Sequence, residues 1–178
     1  AAEFEMRHQN EAQLNAVGRE LGMAMQKKDW DVALAKVAEA EKLLPEGMRD
    51  RLDLTRFNIL IGKKDYPAAY KLAEKISDDN KDNAMVQNDL AWRMATDPAI
   101  EQRDLKLADK IATRANEASK AENPAVLDTL ARVKFMNGKK SEAIALQEKA
   151  VKLADGELKP LAQRTLDSYR KGELPGAN

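Results

Sequence analysis

The chain has 178 residues, enough for one domain with a buried core, and its 30 Lys plus Arg balance 30 Asp plus Glu, which leaves no net basic field for DNA or RNA. Absence of cysteine excludes disulfides, thiolate metal ligands and thiol nucleophiles, and the single histidine, His8, excludes a His-rich metal site. Charged residues at 34% and aromatics at 4% favour long amphipathic helices over sheet, so the expected fold class is all-α.

Residues 1–9 read as a flexible start, because Ala1-Ala2-Glu3-Phe4 has the look of a cloning remnant. His8 follows in a polar stretch with no second histidine or paired serine, a position expected to be exposed and inert. A first helical pair spans about residues 10–45, with Leu21-Gly22, the turn Asp29-Trp30, then Ala33, Val37, Ala40 and a closing Pro45. The second pair, residues 48–79, has Leu54, Phe57 and Ile61 at helical spacing, a turn at Gly62 to Asp65, and Ala69, Leu72, Ala73 and Ile76 beyond it. The third pair, residues 83–119, is lengthened by an insertion from Asp97-Pro98 to Arg103. In the fourth, residues 123–155, Asn123 suits an N-cap and Pro124 the first helical position. Gly138 ends that helix, and the next starts near Ser141, whose hydroxyl can cap it, and stops at Asp155-Gly156. Residues 157–171 make a last helix, apolar at Leu158, Leu161, Leu166 and Tyr169, and residues 172–178 a flexible tail. No segment approaches the roughly 18–20 apolar residues that cross a bilayer, so no membrane insertion is expected.

These pairs repeat. Lys27-Lys28-Asp29-Trp30 returns as Lys63-Lys64-Asp65-Tyr66, and Gly62-Lys63-Lys64 is echoed by Gly138-Lys139-Lys140. Ala33, Ala69, Ala108 and Ala143 follow one another at 36, 39 and 35 residues, each with a small or apolar residue seven positions on. A helical pair with one apolar face cannot stand alone, and stacking of such pairs completes the core. The lysine doublets Lys27-Lys28, Lys63-Lys64 and Lys139-Lys140 are expected at the same point of three repeats, either as the cations that favour helix C-termini or as a basic ridge for acidic partners or phosphates.

This combination of small residues, Gly-Asp-Tyr-like turns and a period slightly above 34 resembles the tetratricopeptide repeat (TPR) family over about residues 10–155. Unit one has its turn one residue short of the family pattern, as does unit two, and unit three replaces the turn with the insertion. The resemblance implies a right-handed superhelical stack of helix-turn-helix repeats, closed by residues 157–171 as a capping helix. It also implies a non-enzymatic scaffold that binds a protein or peptide in its concave groove, with no cofactor. A narrower stretch, Asn88 to Thr96, Arg103-Asp104-Leu105 with Ala108, and Asn123 to Ala131, is similar to TPR segments that follow redoxin or thioredoxin-like domains in some bacterial proteins. On that likeness the chain is an accessory to a redoxin domain outside it, in an extracytoplasmic bacterial setting.

Aligning Asn83 with Asn123 puts Trp92 and Arg132 at one position of consecutive first helices, the position that in TPR proteins faces the groove. Met85, Asn88 and Asp89 from unit three, with Asp128, Phe135 and Met136 from unit four, share the expected wall. Aromatic and arginine anchors are typical hot spots, and methionine adapts to varied ligands; the alternative of equal standing is that Trp92 only packs between helices. The carboxylate-clamp pattern of Lys and Asn is missing. Asp78-Asp79 and Asp82 superficially look like a calcium loop, but Asn83 and Asp89 stand where glycine and a bidentate glutamate are needed, which leaves a polar turn. No phosphate-binding or dinucleotide fingerprint occurs. Two alternatives stay beside the scaffold: self-assembly into homo-oligomers, and an enzyme using an unrecognised pair of carboxylates.

Overall fold

A computed structural model describes residues 2–45, 48 and 52–176, excluding the side chains of residues 2–9, among them His8. Among the described residues it is all-helical, with nine α-helices and no strand. In chain order these are α1 (Ala2–Lys27), α2 (Trp30–Leu43), α3 (Asp53–Gly62), α4 (Tyr66–Asp79), α5 (Ala84–Thr96), α6 (Leu105–Ala118), α7 (Pro124–Met136), α8 (Lys140–Leu153) and α9 (Leu158–Lys171). The chain divides into two compact units, Ala1–Ile76 and Ser77–Asn178, where the repeat pattern treats residues 10–171 as one domain. Residues 2–9, set aside above as a flexible start, are continuous with α1.

In the first unit α2 packs on α1 and on α3. Ala24, Ala33, Val37 and Ile59 form the core, with Leu21, Met25, Trp30, Leu34 and Leu52 packed around them. Gly62 is small for a reason: a Cβ there would lie 2.6 Å from the far end of the Trp30 ring. The two turns of this unit are alike. Lys28 and Lys64 take the left-handed conformation, with φ of 58° and 64°. The N–H groups of Asp29 and Asp65 reach back five residues to the carbonyls of Ala24 and Leu60. Each aspartate then caps the following helix, Asp29 accepting from Val32 N–H and Asp65 from Ala68 N–H.

The second unit repeats this device at Gly138, where φ is 77° and Lys139 N–H donates to the Lys134 carbonyl. Gly138 therefore stands where Lys28 and Lys64 stand, and five residues separate each of them from Ala143, Ala33 and Ala69. This corrects two expectations. The doublet Lys139-Lys140 is two residues out of step with the others, so the doublets do not mark one point of three repeats. Nor is the turn short in units one and two; it is Leu21-Gly22 that lies out of register with Leu130-Ala131. Ser141 also fails as a cap, because α8 begins at Lys140 behind Lys139, which makes no side-chain capping bond.

Within this unit α5 packs on α6 and α7, α6 on α7, α7 on α8, and α8 on α9. Ala91, Ala108, Ala112, Ala115, Ala131, Ala143 and Ala150 are wholly buried, the small residues that let backbones approach. Asn83 and Asn123 are equivalent N-caps, accepting from Val86 N–H and from Ala125 and Val126 N–H. The inserted residues 97–104 are held by Arg103, which donates to the carbonyls of Met94 at 2.8 Å and Asp97 at 2.7 Å. Those carbonyls belong to the C-terminal end of α5, where backbone acceptors have no helical partner.

Candidate functional site

The equivalence of Asn83 and Asn123 puts Trp92 and Arg132 at the same register of α5 and α7, nine residues after each cap. They meet: the Arg132 guanidinium carbon lies 5.3 Å from the centroid of the Trp92 ring, a cation–π contact. Beside them opens a recess of ≈ 320 Å³. Asn88, Asp89 and Trp92 of α5 form one wall, and Pro124, Ala125, Asp128, Thr129 and Arg132 of α7 another. The rest is Ala154, then Leu158, Leu161, Ala162 and Thr165 of α9, and Gly176.

Five of the eight expected groove residues line the recess: Asn88, Asp89, Trp92, Asp128 and Arg132. Three do not. Met85 is 60% exposed, one turn before Asn88 and beyond the recess. Phe135 turns toward α9, its ring stacked 4.6 Å from that of Tyr169, in a cluster with Ala131 and Ala143. Met136 ends α7 and contributes nothing to the lining. The physical reason is the helical row. Positions 124, 128 and 132 follow one face at four-residue steps and end the wall at Arg132, while Phe135 and Met136 lie about one turn further along the axis, where Tyr169 of α9 takes up the Phe135 ring.

Leu158 and Leu161 were expected to share the buried stripe of Leu166 and Tyr169. They do not: Leu158 and Leu161 are 52% and 39% exposed, while Leu166 and Tyr169 are buried. The helix carries two apolar faces. One runs through Ala162, Leu166 and Tyr169 into the core, and the other, Leu158, Leu161 and Thr165, lines the recess. Two offset sets of apolar residues at three- and four-residue steps were the available signal for that second role.

Polar groups at the recess are tightly engaged. Arg132 is only 6% exposed, and its Nη2 donates to the carbonyl of Pro175 at 2.8 Å, so the expected flexible tail folds back onto the site through residue 175. Burial lowers the Arg132 pKa, and the neighbouring Tyr169 and Asp128 oppose that shift; a guanidinium remains charged throughout. Asp128 accepts from Gln147 Nε2 at 2.7 Å. Its carboxyl is pushed above the usual carboxylate range by burial, against the pull of the Gln147 hydrogen bond and the Arg132 charge. Gln147 is itself wholly buried and also donates to the Ala162 carbonyl, which ties α7, α8 and α9 together beneath the recess. Burial, reinforced by Asp128, raises the Tyr169 phenol. Two buried polar atoms at the recess, Asn88 Oδ1 and Arg132 Nε, have no hydrogen-bond partner.

The acidic stretch near Asp78 is a polar junction. Asp78 pairs with Arg114 at 2.8 Å, which lowers its pKa, and Asn80 and Ser77 give their carbonyls to the buried Gln87 amide. Among the described residues no group of three or more His, Cys, Asp or Glu side chains is placed to hold a metal ion, and no helix is long and apolar enough to cross a membrane. No protein-family model matches the chain, and no curated protein matches it either.

Proposed function

We propose that this chain is a non-enzymatic, TPR-like helical scaffold that binds an extended protein or peptide segment in the recess between α5, α7 and α9. On this reading the helical pairs continue one another as a right-handed superhelix, and α9 both closes the last pair and supplies the apolar wall of the groove. The accessory role to a bacterial, extracytoplasmic redoxin domain belongs to the same proposal. The observation that carries it is Arg132, held under the face of Trp92 and donating to a main-chain carbonyl. That is the contact a groove makes with a peptide backbone, and arginine offers it with a fork of donors that lysine lacks. Apolar Leu158 and Leu161 beside it are exposed enough to receive a side chain.

The test is selection of peptides from a random library against the intact chain, followed by titration of the winners into variants. Trp92→Ala and Arg132→Lys should each weaken binding about tenfold or more, roughly 1–2 kcal/mol. Selection of no peptide at all, or winners indifferent to both substitutions, sinks the reading. Light scattering over a concentration series separates it from self-assembly.

A further inference from the structure

The polypeptide after α9 makes the groove's own contact from inside the chain. Gly172 is left-handed, with φ of 85°, and the Gly172 and Glu173 N–H groups reach back to the Tyr169 and Ser168 carbonyls. This turn reverses the chain at the end of α9 and sends it toward α7. Two residues later the Pro175 carbonyl accepts from Arg132, and Gly176 reaches the recess. Proline and glycine suit the seat, since proline has no N–H to leave unpaired and glycine brings no side chain into the recess. We infer that residues 174–176 are an intramolecular pseudo-ligand, and that the groove takes in trans an extended, proline-containing segment presenting a main-chain carbonyl to Arg132, which must first displace them.

This rests on the groove reading and adds its ligand class and its regulation. A tethered ligand competes at an effective concentration in the millimolar range for a short connection. The apparent affinity for an outside peptide is divided by the factor by which closure is favoured, about tenfold for one charge-assisted hydrogen bond with its flanking contacts.

The experiment compares the intact chain with one truncated after Glu173, which keeps α9 and its turn. The probe is a synthetic hexapeptide of residues Glu173 to Asn178, titrated while following the indole N–H resonance of Trp92, assigned through Trp92→Phe. In the truncated chain the hexapeptide should shift that resonance, and at least tenfold more peptide should be needed in the intact chain. Arg132→Lys should weaken the response of the truncated chain. Gly172→Val, which strains the left-handed turn, should make the full-length chain behave like the truncated one.

No response in the truncated chain, or equal responses in both, overturns the inference. If library-selected peptides bind both chains alike, the inference fails while the groove reading stands. If the hexapeptide binds but no foreign peptide does, the intramolecular seat stands and the groove reading fails. A dimer that depends on residues 174–178 would move the seat between copies and overturn the intramolecular one.

Discussion

Among the described residues the first unit buries one polar side chain, Asp53, and pairs it with Arg56 and Lys75. The second unit buries Ser77, Gln87, Thr129, Arg132 and Gln147. Both are built from short helical pairs with the same left-handed turns, so the difference is not forced by the architecture. Apolar packing is sufficient for such a fold, and each buried polar group adds a desolvation cost that hydrogen bonds only offset. A unit that carries several of them has kept groups that packing alone would have discarded. Thr129 and Arg132 line the recess and Gln147 lies beneath it, bonded to Asp128, whereas Ser77 and Gln87 bond each other.

The comparison breaks most readily at Gln87. Its amide donates to the Ser77 and Asn80 carbonyls, and its Oε1 accepts from Ser77 Oγ at 2.7 Å. Gln87→Leu takes the side-chain donor from the Ser77 carbonyl and removes two further bonds, although the Asn80 carbonyl keeps Asn83 N–H and Ser77 Oγ keeps Arg114, and should cost about 2–3 kcal/mol in urea denaturation. If the loss is no larger than for an ordinary surface change, the buried polar groups of this unit are not structural members. The corresponding stress on the apolar unit is Gly62→Ala, where the new Cβ meets the Trp30 ring. It should lower stability by about 1–2 kcal/mol, overpacking outweighing the better helix propensity of alanine. In a Trp30→Leu background that penalty should vanish.

Smaller effects sharpen the likeness of the turns. Lys64 holds a conformation that costs a side chain about 1 kcal/mol, so Lys64→Gly should stabilise the protein by about 0.5–1 kcal/mol, and Gly138→Ala should do the reverse. A thermal melt in which both move in the same direction would refute the equivalence of the two sites. The smallest effect expected is at Asp128. Because its folded pKa is raised, the folded state binds more protons than the unfolded one between the ordinary carboxylate value and the raised value. This group's contribution to stability therefore falls as pH rises through that window. Asp128→Asn removes the charge, so the variant's stability relative to wild type should be higher at neutral pH than in mild acid, as denaturation at a series of pH values will show.

Much of the fold is legible because its signals are local. An asparagine before Pro124 and another at residue 83 each announce a cap, and from those two residues alone the shared register of Trp92 and Arg132 follows by counting, though not their contact. The misplacement of Lys139-Lys140 has a local cause as well: lysine occupies left-handed positions at 28 and 64 that glycine occupies at 138, so matching like with like shifts the alignment by two residues. The contact of Arg132 with Pro175 was not legible, since 43 residues separate the partners and a carbonyl leaves no trace in side-chain identity. For Phe135 the residue type pointed to a binding wall, while its neighbour Tyr169, on another helix, claimed it for the core.

The inserted residues 97–104 look like the obvious place for a protease to enter a helical protein, with an arginine near the end of the connector. Trypsin must draw the arginine side chain into its own pocket and straighten the backbone on either side. Arg103 has both terminal nitrogens committed to the carbonyls of Met94 and Asp97, and the next residue, Asp104, already caps α6 through Leu107 N–H. Cleavage there requires the end of α5 and the start of α6 to open together. The exposed turn at Lys120, where no such clasp holds the side chain, offers the easier cut.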